Sequence, residues 1–436
     1  MIERIGLRAF MGTAIASLNL PNTVTFIGEY AFSDCTALTS VKMSSGVTEI
    51  NGHCFEGCVS LTNLTLYKHM TKIGERAFAY CSSLKSITIP TSTTTIGAQA
   101  FESCLSLTTV SIGKNVTEIN YRAFANCPAL SNVSYNAENV ADFYDVTPTN
   151  VFASSGSESR GINLTIGPNV KRIPAYMFYG TPNLLTVTFD ENNTCTVIGE
   201  HAFSYSKKLT SITIPAEITE FKNAFDDCTA LAEVYNLSSV ELVPNINATG
   251  IEEFLFCVHT SLSEASKMVY IDDYVFFMDG ATGVLVGYIG NDKVLTLPEN
   301  CNGYTYKINR RAFYAHDLEE VVISSGVSEI GSEVFWHSGV QKITIMNGVS
   351  KIDAGAFSGC SLNEIIIPTS VTFIDANAFS GVANIYCEVE SKPEGWNEHY
   401  LWSGVDADNT VYWYSANEPT SEGNYWRYVD GVATPW

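Results

Sequence analysis

The sequence predicts an α/β repeat solenoid, and three observations carry that expectation. Phenylalanine recurs at a nearly fixed spacing: Phe10, Phe32, Phe55, Phe78, Phe101 and Phe124 lie 22 or 23 residues apart, and Phe313, Phe335, Phe357 and Phe379 lie 22 apart. Each anchor is followed by a strand-type pattern, as in Leu84-x-x-Ile87-x-Ile89 and Leu209-x-x-Ile212-x-Ile214. The 436 residues, 46% of them hydrophobic, exceed what one core can use, since single cores stop growing near roughly 250–300 residues. Small units that share their burial with neighbours satisfy all three observations.

Within a rung, the strand comes first. Positions two apart share a side of a strand, so Ile87 and Ile89 face inward while Ser86 and Thr88 face out. Pro90, Pro215 and Pro368 end their strands by removing a backbone donor. A β-branched residue and Ile-Gly then lead into the Ala-Phe segment, read here as a short helical turn, with Gly28, Gly74 and Gly97 permitting tight backbone. The register loosens through Phe152, Phe178, Phe203 and Phe225, at intervals of 28, 26, 25 and 22, before the later block resumes. Fourteen anchors result. One rung alone buries too little to offset its ordering entropy, so stability must be shared along the stack.

The consensus Ile-Gly-x-x-Ala-Phe-x-x-Cys-x-x-Leu-x-x-Ile-x-Ile-Pro, seen almost whole from Ile73 through Cys81 to Pro90, resembles the repeat of the BspA-like leucine-rich repeat surface proteins of oral and gut bacteria. The resemblance covers about four-fifths of the chain. It implies a leucine-rich-repeat-like right-handed solenoid with a parallel β-sheet on its concave face. It also implies adhesion or binding, without catalysis, outside the cell or on its surface.

Two stretches depart from the repeat. Between Phe225 and Phe313 the interval is 88 residues. There Phe254-x-x-Cys257 echoes the repeat, and Val269 to Phe277, a turn at Asp279-Gly280, and Gly283 to Ile289 read as a hairpin. Lys293 to Pro298 reads as a resumed rung. This gives a first repeat block over 1–231, a β-rich insertion over 232–305 that is either a spacer or a ligand site, a second block over 306–385 and a β/aromatic cap over 386–436. The cap holds Trp396, Trp402, Trp413, Trp426 and Trp436, five of the six tryptophans. They are expected to cover the last open rung, or alternatively to offer sugars a stacking platform. The chain starts inside a rung at Ile5-Gly6 without a secretory apolar segment, as expected of a trimmed chain.

Charge narrows the partners. With 24 basic against 46 acidic residues, the net charge is −22, which disfavours nucleic acid and anionic lipid and favours a basic partner. No apolar run approaches the roughly 20 residues of a membrane span. Seven of the twelve cysteines (Cys35, Cys58, Cys81, Cys104, Cys127, Cys228 and Cys360) fall three residues after an anchor phenylalanine. Stacked rungs bring such residues within disulfide range. Because Thr181, Ser206 and Ser338 fill the same slot elsewhere, reduced thiols at a hydrogen-bonding core position are expected. The seven histidines are scattered, and no Cys-x-x-Cys, paired-histidine, nucleophile-elbow or phosphate-loop motif occurs. Neither a cofactor nor a metal is expected; Asp190-Glu191-Asn192 and Asp406-x-Asp408 are the loose calcium candidates.

What remains is surface. Outward strand positions of the first block are mostly small and neutral, with Lys42 and Tyr67 as a minor patch. Those of the second block include Glu320, Val322, Lys342, Thr344, Met346, Glu364 and Ile366, where apolar residues stand in place of Ser and Thr. An apolar strip rimmed by charge suits a protein or other macromolecular partner, unless the insertion or cap packs over it. The expected protein is a monomeric, non-enzymatic binding protein. A structural surface spacer and a glycan binder working through the terminal aromatics are the alternatives.

Overall fold

The computed structural model describes residues 2–143, 151–221, 223–242, 254–399 and 409–436. They form two compact units, Met1–Ala265 and Ser266–Trp436. In the first unit, eleven strands from Ser17–Asn19 to Cys257–His259 repeat once per rung and pair in parallel within three sheets, with Ser86, Thr109, Asn132 and Asn163 successive partners in the middle one. A second series of two-residue strands precedes the Ala-Phe segments, among them Glu49–Ile50, Lys72–Ile73, Thr95–Ile96 and Glu118–Ile119. The second unit carries six further rungs whose outer strands begin at Val294, Glu320, Lys342, Glu364, Asn384 and Thr410. Among the described residues the total of seventeen exceeds the fourteen anchors because several rungs keep the strand and lose the phenylalanine.

The core is built of columns. The anchor phenylalanine rings stack on one another from Phe10 to Phe225, with centroids 5.3–5.7 Å apart and planes within 18° of parallel. Phe313, Phe335, Phe357 and Phe379 repeat the stack in the second unit. Parallel planes at this separation require the offset stacking that aromatic quadrupoles prefer. Leu84, Ile87 and Ile89 are buried, whereas Ser86 and Thr88 are exposed. This is the alternation expected of the strand.

The Ala-Phe segments are not helical turns, and the described residues contain no helix. The reason is where their N–H groups go. Arg76, Phe78 and Tyr80 donate to the carbonyls of Ala98, Ala100 and Glu102 on the following rung at 2.9, 2.8 and 2.8 Å. The alternating residues Ala77, Ala79 and Cys81 fold back onto Gly74, Arg76 and Phe78 at 3.3, 3.1 and 3.3 Å. A helix needs every donor for its own chain, and here every second one serves the neighbouring rung. The geometry places Arg76 and Tyr80 at φ 49° and 60°, a left-handed conformation usually left to glycine. The glycine of Ile-Gly answers a different need. A Cβ on Gly97 would lie 2.5 Å from the backbone of Gly74 and Glu75, so two rungs touch there backbone to backbone.

All twelve cysteines are free thiols. In the column, each Sγ–H donates to an anchor phenylalanine carbonyl on the preceding rung: Cys58 to Phe32 at 3.2 Å, Cys81 to Phe55 at 3.3 Å and Cys104 to Phe78 at 3.4 Å. Ser155 takes over with Oγ donating to Phe124 at 2.7 Å. Thr181 and Ser206 share the slot, but their hydroxyls are buried without a hydrogen-bond partner. The hydrogen-bonding role thus extends to only some of the hydroxyl replacements.

The hairpin of the second unit is larger than expected. Val269 to Phe277 is not one arm but two strands, Met268–Ile271 and Tyr274–Asp279, folded back at Asp272 and joined by Thr282–Tyr288 into an antiparallel meander. Its last strand pairs in parallel with Tyr306–Ile308 and so begins the inner ladder of that unit. Val294–Thr296 resumes the outer ladder beside Glu320–Ile323. Trp396 and Trp426 are buried, with their indole N–H groups donating to Val371 and Cys387. Trp413 packs against the core. These three behave as a cap, Trp436 stays 41% exposed, and Trp402 lies outside the described residues.

Candidate functional site

The outward strand face of the second unit is built in register. Glu320 pairs with Lys342 across adjacent strands, and their side chains form an ion pair at 2.5 Å. Thr296, Val322 and Thr344 follow one another in the next row, and Ile366, Tyr386 and Tyr412 form a row of the same kind on the last three rungs. Inward residues Val321, Ile323, Ile343, Ile345, Ile365 and Ile367 are buried and hold the strands in place. Lys342, Thr344 and Glu364 are exposed, and Val322 and Ile366 are half-buried. Met346, just beyond its strand, is 47% exposed. The cap reaches part of the row: Trp426 sets its edge against Tyr386 at 5.4 Å, and Tyr386 is only 6% exposed. It leaves Thr344 and Met346 open.

A site that the motif search did not bring together lies at the end of the first unit. His259 is buried, its Nε2 2.8 Å from Glu233 Oε1 and its Nδ1 3.2 Å from Glu264 Oε2, with Tyr235 stacked on the ring at 4.5 Å. Burial alone would lower the imidazole pKa. The hydrogen bonds to Glu233 and Glu264 outweigh that effect and hold it above the ordinary value. The signal was present in the pairing of Tyr235 with His259, but it falls in the stretch where the anchor spacing fails. Among the described residues no cluster of ligating side chains suits a metal. Asp190 accepts a hydrogen bond from the Asn192 N–H of its own turn. Asp406 and Asp408 lie outside the described residues.

Comparison with known proteins decides the family. The profile of the BspA-type leucine-rich repeat region matches residues 3–131, 148–280 and 295–389. The chain belongs to the BspA-type leucine-rich repeat family. This BspA-type chain is also similar to solved structures. One is a leucine-rich repeat protein from Bacteroides ovatus (22% identity, 91% of this chain and 78% of that one, TM-score 0.38). Another is a leucine-rich cell surface protein from Faecalibacterium prausnitzii (23%, 88% and 76%, TM-score 0.33). A third is the pneumococcal vaccine antigen PcpA (16%, 78% and 86%, TM-score 0.34). No protein of curated function matches.

In the first unit of this BspA-type chain, the minor patch does not assemble as expected. Lys42 is exposed on its strand, in register with Asn19 and Thr65. Tyr67 lies two residues past the end of the strand Asn63–Thr65 and packs, half-buried, against the core. It is not an outward strand residue, because the strand stops at Thr65 and the alternation stops with it. No helix among the described residues is long and apolar enough to cross a membrane.

Proposed function

We propose that this BspA-type chain is a non-enzymatic extracellular or cell-surface binding protein. Its outward strand face, on the rungs carrying Val322, Lys342, Thr344, Met346, Glu364 and Ile366, receives a protein partner such as a host or matrix component. The exposure of Met346, on the rung that also carries the Glu320–Lys342 ion pair, carries the reading: apolar area with charge on the same face is the composition of a transient protein interface. Family membership supports it. The net charge of −22 favours a basic partner and acts mainly on the rate of encounter. The test is binding of the immobilised chain to a panel of extracellular-matrix and host-surface proteins at low and high salt. A partner whose association rate falls with salt is expected. Absence of any micromolar binder in the panel would sink the reading.

A further inference from the structure

Within the second unit, Tyr412, Tyr425 and Trp436 converge on an open cleft of about 290 Å³, with Glu418, Ser421 and Asn424 at its rim. That volume is near the lower end of the roughly 300–1,000 Å³ of small-molecule sites. It is too small for a protein segment of any length. Capping does not account for these rings. Trp396 and Trp426 do the work of a cap and are buried, while Tyr412 and Tyr425 keep half-exposed surfaces and Trp436 is 41% exposed.

The rings are held in place before any ligand arrives. Trp436 Nε1–H donates to the Ser415 carbonyl at 2.9 Å, its backbone N–H to the Tyr425 carbonyl at 3.0 Å, and the Arg427 guanidinium lies 3.8 Å from its ring centre. Tyr412 stacks on Tyr386 at 4.9 Å, and the Tyr425 hydroxyl is 2.8 Å from Ser421 Oγ. Gly423 lets the rim come this close, since a Cβ there would sit 2.9 Å from the Tyr425 ring. With its own N–H satisfied and the Arg427 guanidinium over one side of the ring, the indole has its other face to offer. Preorganised aromatic faces of this kind lower the ordering cost of binding.

We propose that this cleft binds a neutral glycan, a flat pyranose face lying on the aromatic rings while Asn424 and Glu418 bond its hydroxyls. The choice of ligand follows from the lining. Among the described residues one carboxylate and no cationic side chain line the cleft, and the nearby Arg427 guanidinium is engaged on the Trp436 ring, so the lining is not set to bond phosphate, sulfate or uronate groups. Among the described residues its apolar surface is aromatic and prolyl with no aliphatic chain, which disfavours acyl tails. A sugar has what remains: C–H groups on one face for an aromatic ring, and hydroxyls at the edge for an amide and a carboxylate. Tyr412 belongs to the outward row that starts at Ile366, but none of the cleft's lining residues is among the partner-binding residues proposed above, and the site does not depend on that reading.

The experiment titrates the full chain with cellotetraose, chitotetraose and β-1,4-galactotetraose, by calorimetry and saturation-transfer NMR, with a heparin tetrasaccharide as the charged control. At least one neutral glycan is expected to bind with millimolar or better affinity, saturation passing to its ring C–H protons, and heparin is expected not to. Trp436→Ala should weaken binding by about tenfold or more. Asn424→Ala, at an exposed position, should weaken it by several-fold with an unchanged unfolding midpoint, which keeps the test valid if the tryptophan variant loses its hairpin. No saturation transfer to any of the three neutral glycans, or affinities unaffected by Asn424→Ala and Trp436→Ala alike, would overturn the proposal.

Discussion

His259 and Glu233 lie on neighbouring rungs with Nε2 and Oε1 2.8 Å apart, both side chains almost wholly buried, and Glu264 closes the other imidazole nitrogen at 3.2 Å. The arrangement makes the last rungs of the first unit pH-sensitive, and the sign follows from the two shifts. His259 is raised, so its contribution is complete below the unfolded histidine value near about 6.5 and is lost as pH rises through the folded value. Glu264 is lowered, by the backbone hydrogen bond from Thr260 first and then by His259. Its contribution is complete above the unfolded glutamate value near about 4.3 and is lost as pH falls through the folded one. The melting difference between wild type and His259→Gln should therefore be greatest between about pH 4.5 and 6.5 and shrink on either side. A difference that stays constant from acid to mildly alkaline pH would contradict the pairing of His259 with Glu233 and Glu264.

Leu84→Ala should cost about 2–5 kcal/mol in denaturant melts, because packed rungs on both sides prevent the cavity from collapsing. Thr88→Ala, on the exposed side of the same strand, should cost well under about 1 kcal/mol. Equal costs would mean that inward and outward are misassigned.

The Ala-Phe turns predict opposite outcomes for two changes only six residues apart. Gly97→Ala puts a Cβ 2.5 Å from backbone atoms of the preceding rung, an overlap that should destabilise by about 1–3 kcal/mol or more. Ser103→Gly replaces a residue at φ 59° and should range from neutral to about 1 kcal/mol stabilising, since relief of the left-handed cost exceeds the added chain entropy. Chemical denaturation of both variants reads the two signs. A neutral Gly97→Ala would mean that the rungs are not packed backbone to backbone.

The thiol column should be inert. Burial pushes Cys58 and Cys127 up to about 12, so almost no thiolate exists at neutral pH to react. Ellman titration should find most of the twelve cysteines unreactive in the native protein and all twelve reactive after denaturation without reductant. Fewer than twelve in denaturant would reveal disulfides.

Much of the fold was legible because it is nearly one-dimensional. Phe, Leu and Ile recur in columns, and a column in sequence becomes a column in space once neighbouring rungs stack. The Ala-Phe turn was misread as helical because its deciding bonds are not local: Phe78 donates to Ala100, a residue of the next rung that local propensity does not consider. Tyr67 was misplaced because alternation was carried beyond Thr65, where the strand ends. The site around His259 was hidden because its rung lacks the anchor spacing, so the pairing of Tyr235 with His259 could not be counted from a phenylalanine. On the proposed binding face the alternation holds for Lys342, Thr344 and Glu364, which are exposed, while Val322 and Ile366 are half-buried and Met346 lies past the end of its strand. Of the aromatic cleft, Trp436 is among the terminal tryptophans that the sequence offers as a sugar platform, but Tyr412 and Tyr425 are not legible there, because they meet it only once the last hairpin has folded.

The central claim, that the outward strand face of the second unit binds a protein partner, is tested most directly by Val322→Ser combined with Met346→Ser and Ile366→Ser. Binding is measured by surface plasmon resonance against a partner found in the matrix and host-surface panel, alongside the melting curve. The account predicts that affinity falls by about tenfold or more, roughly 1.4 kcal/mol or above, while the protein stays folded with a modestly lowered melting midpoint, since Met346 is 47% exposed and Val322 and Ile366 are half-buried on the outward side. Unchanged affinity for that partner would contradict it.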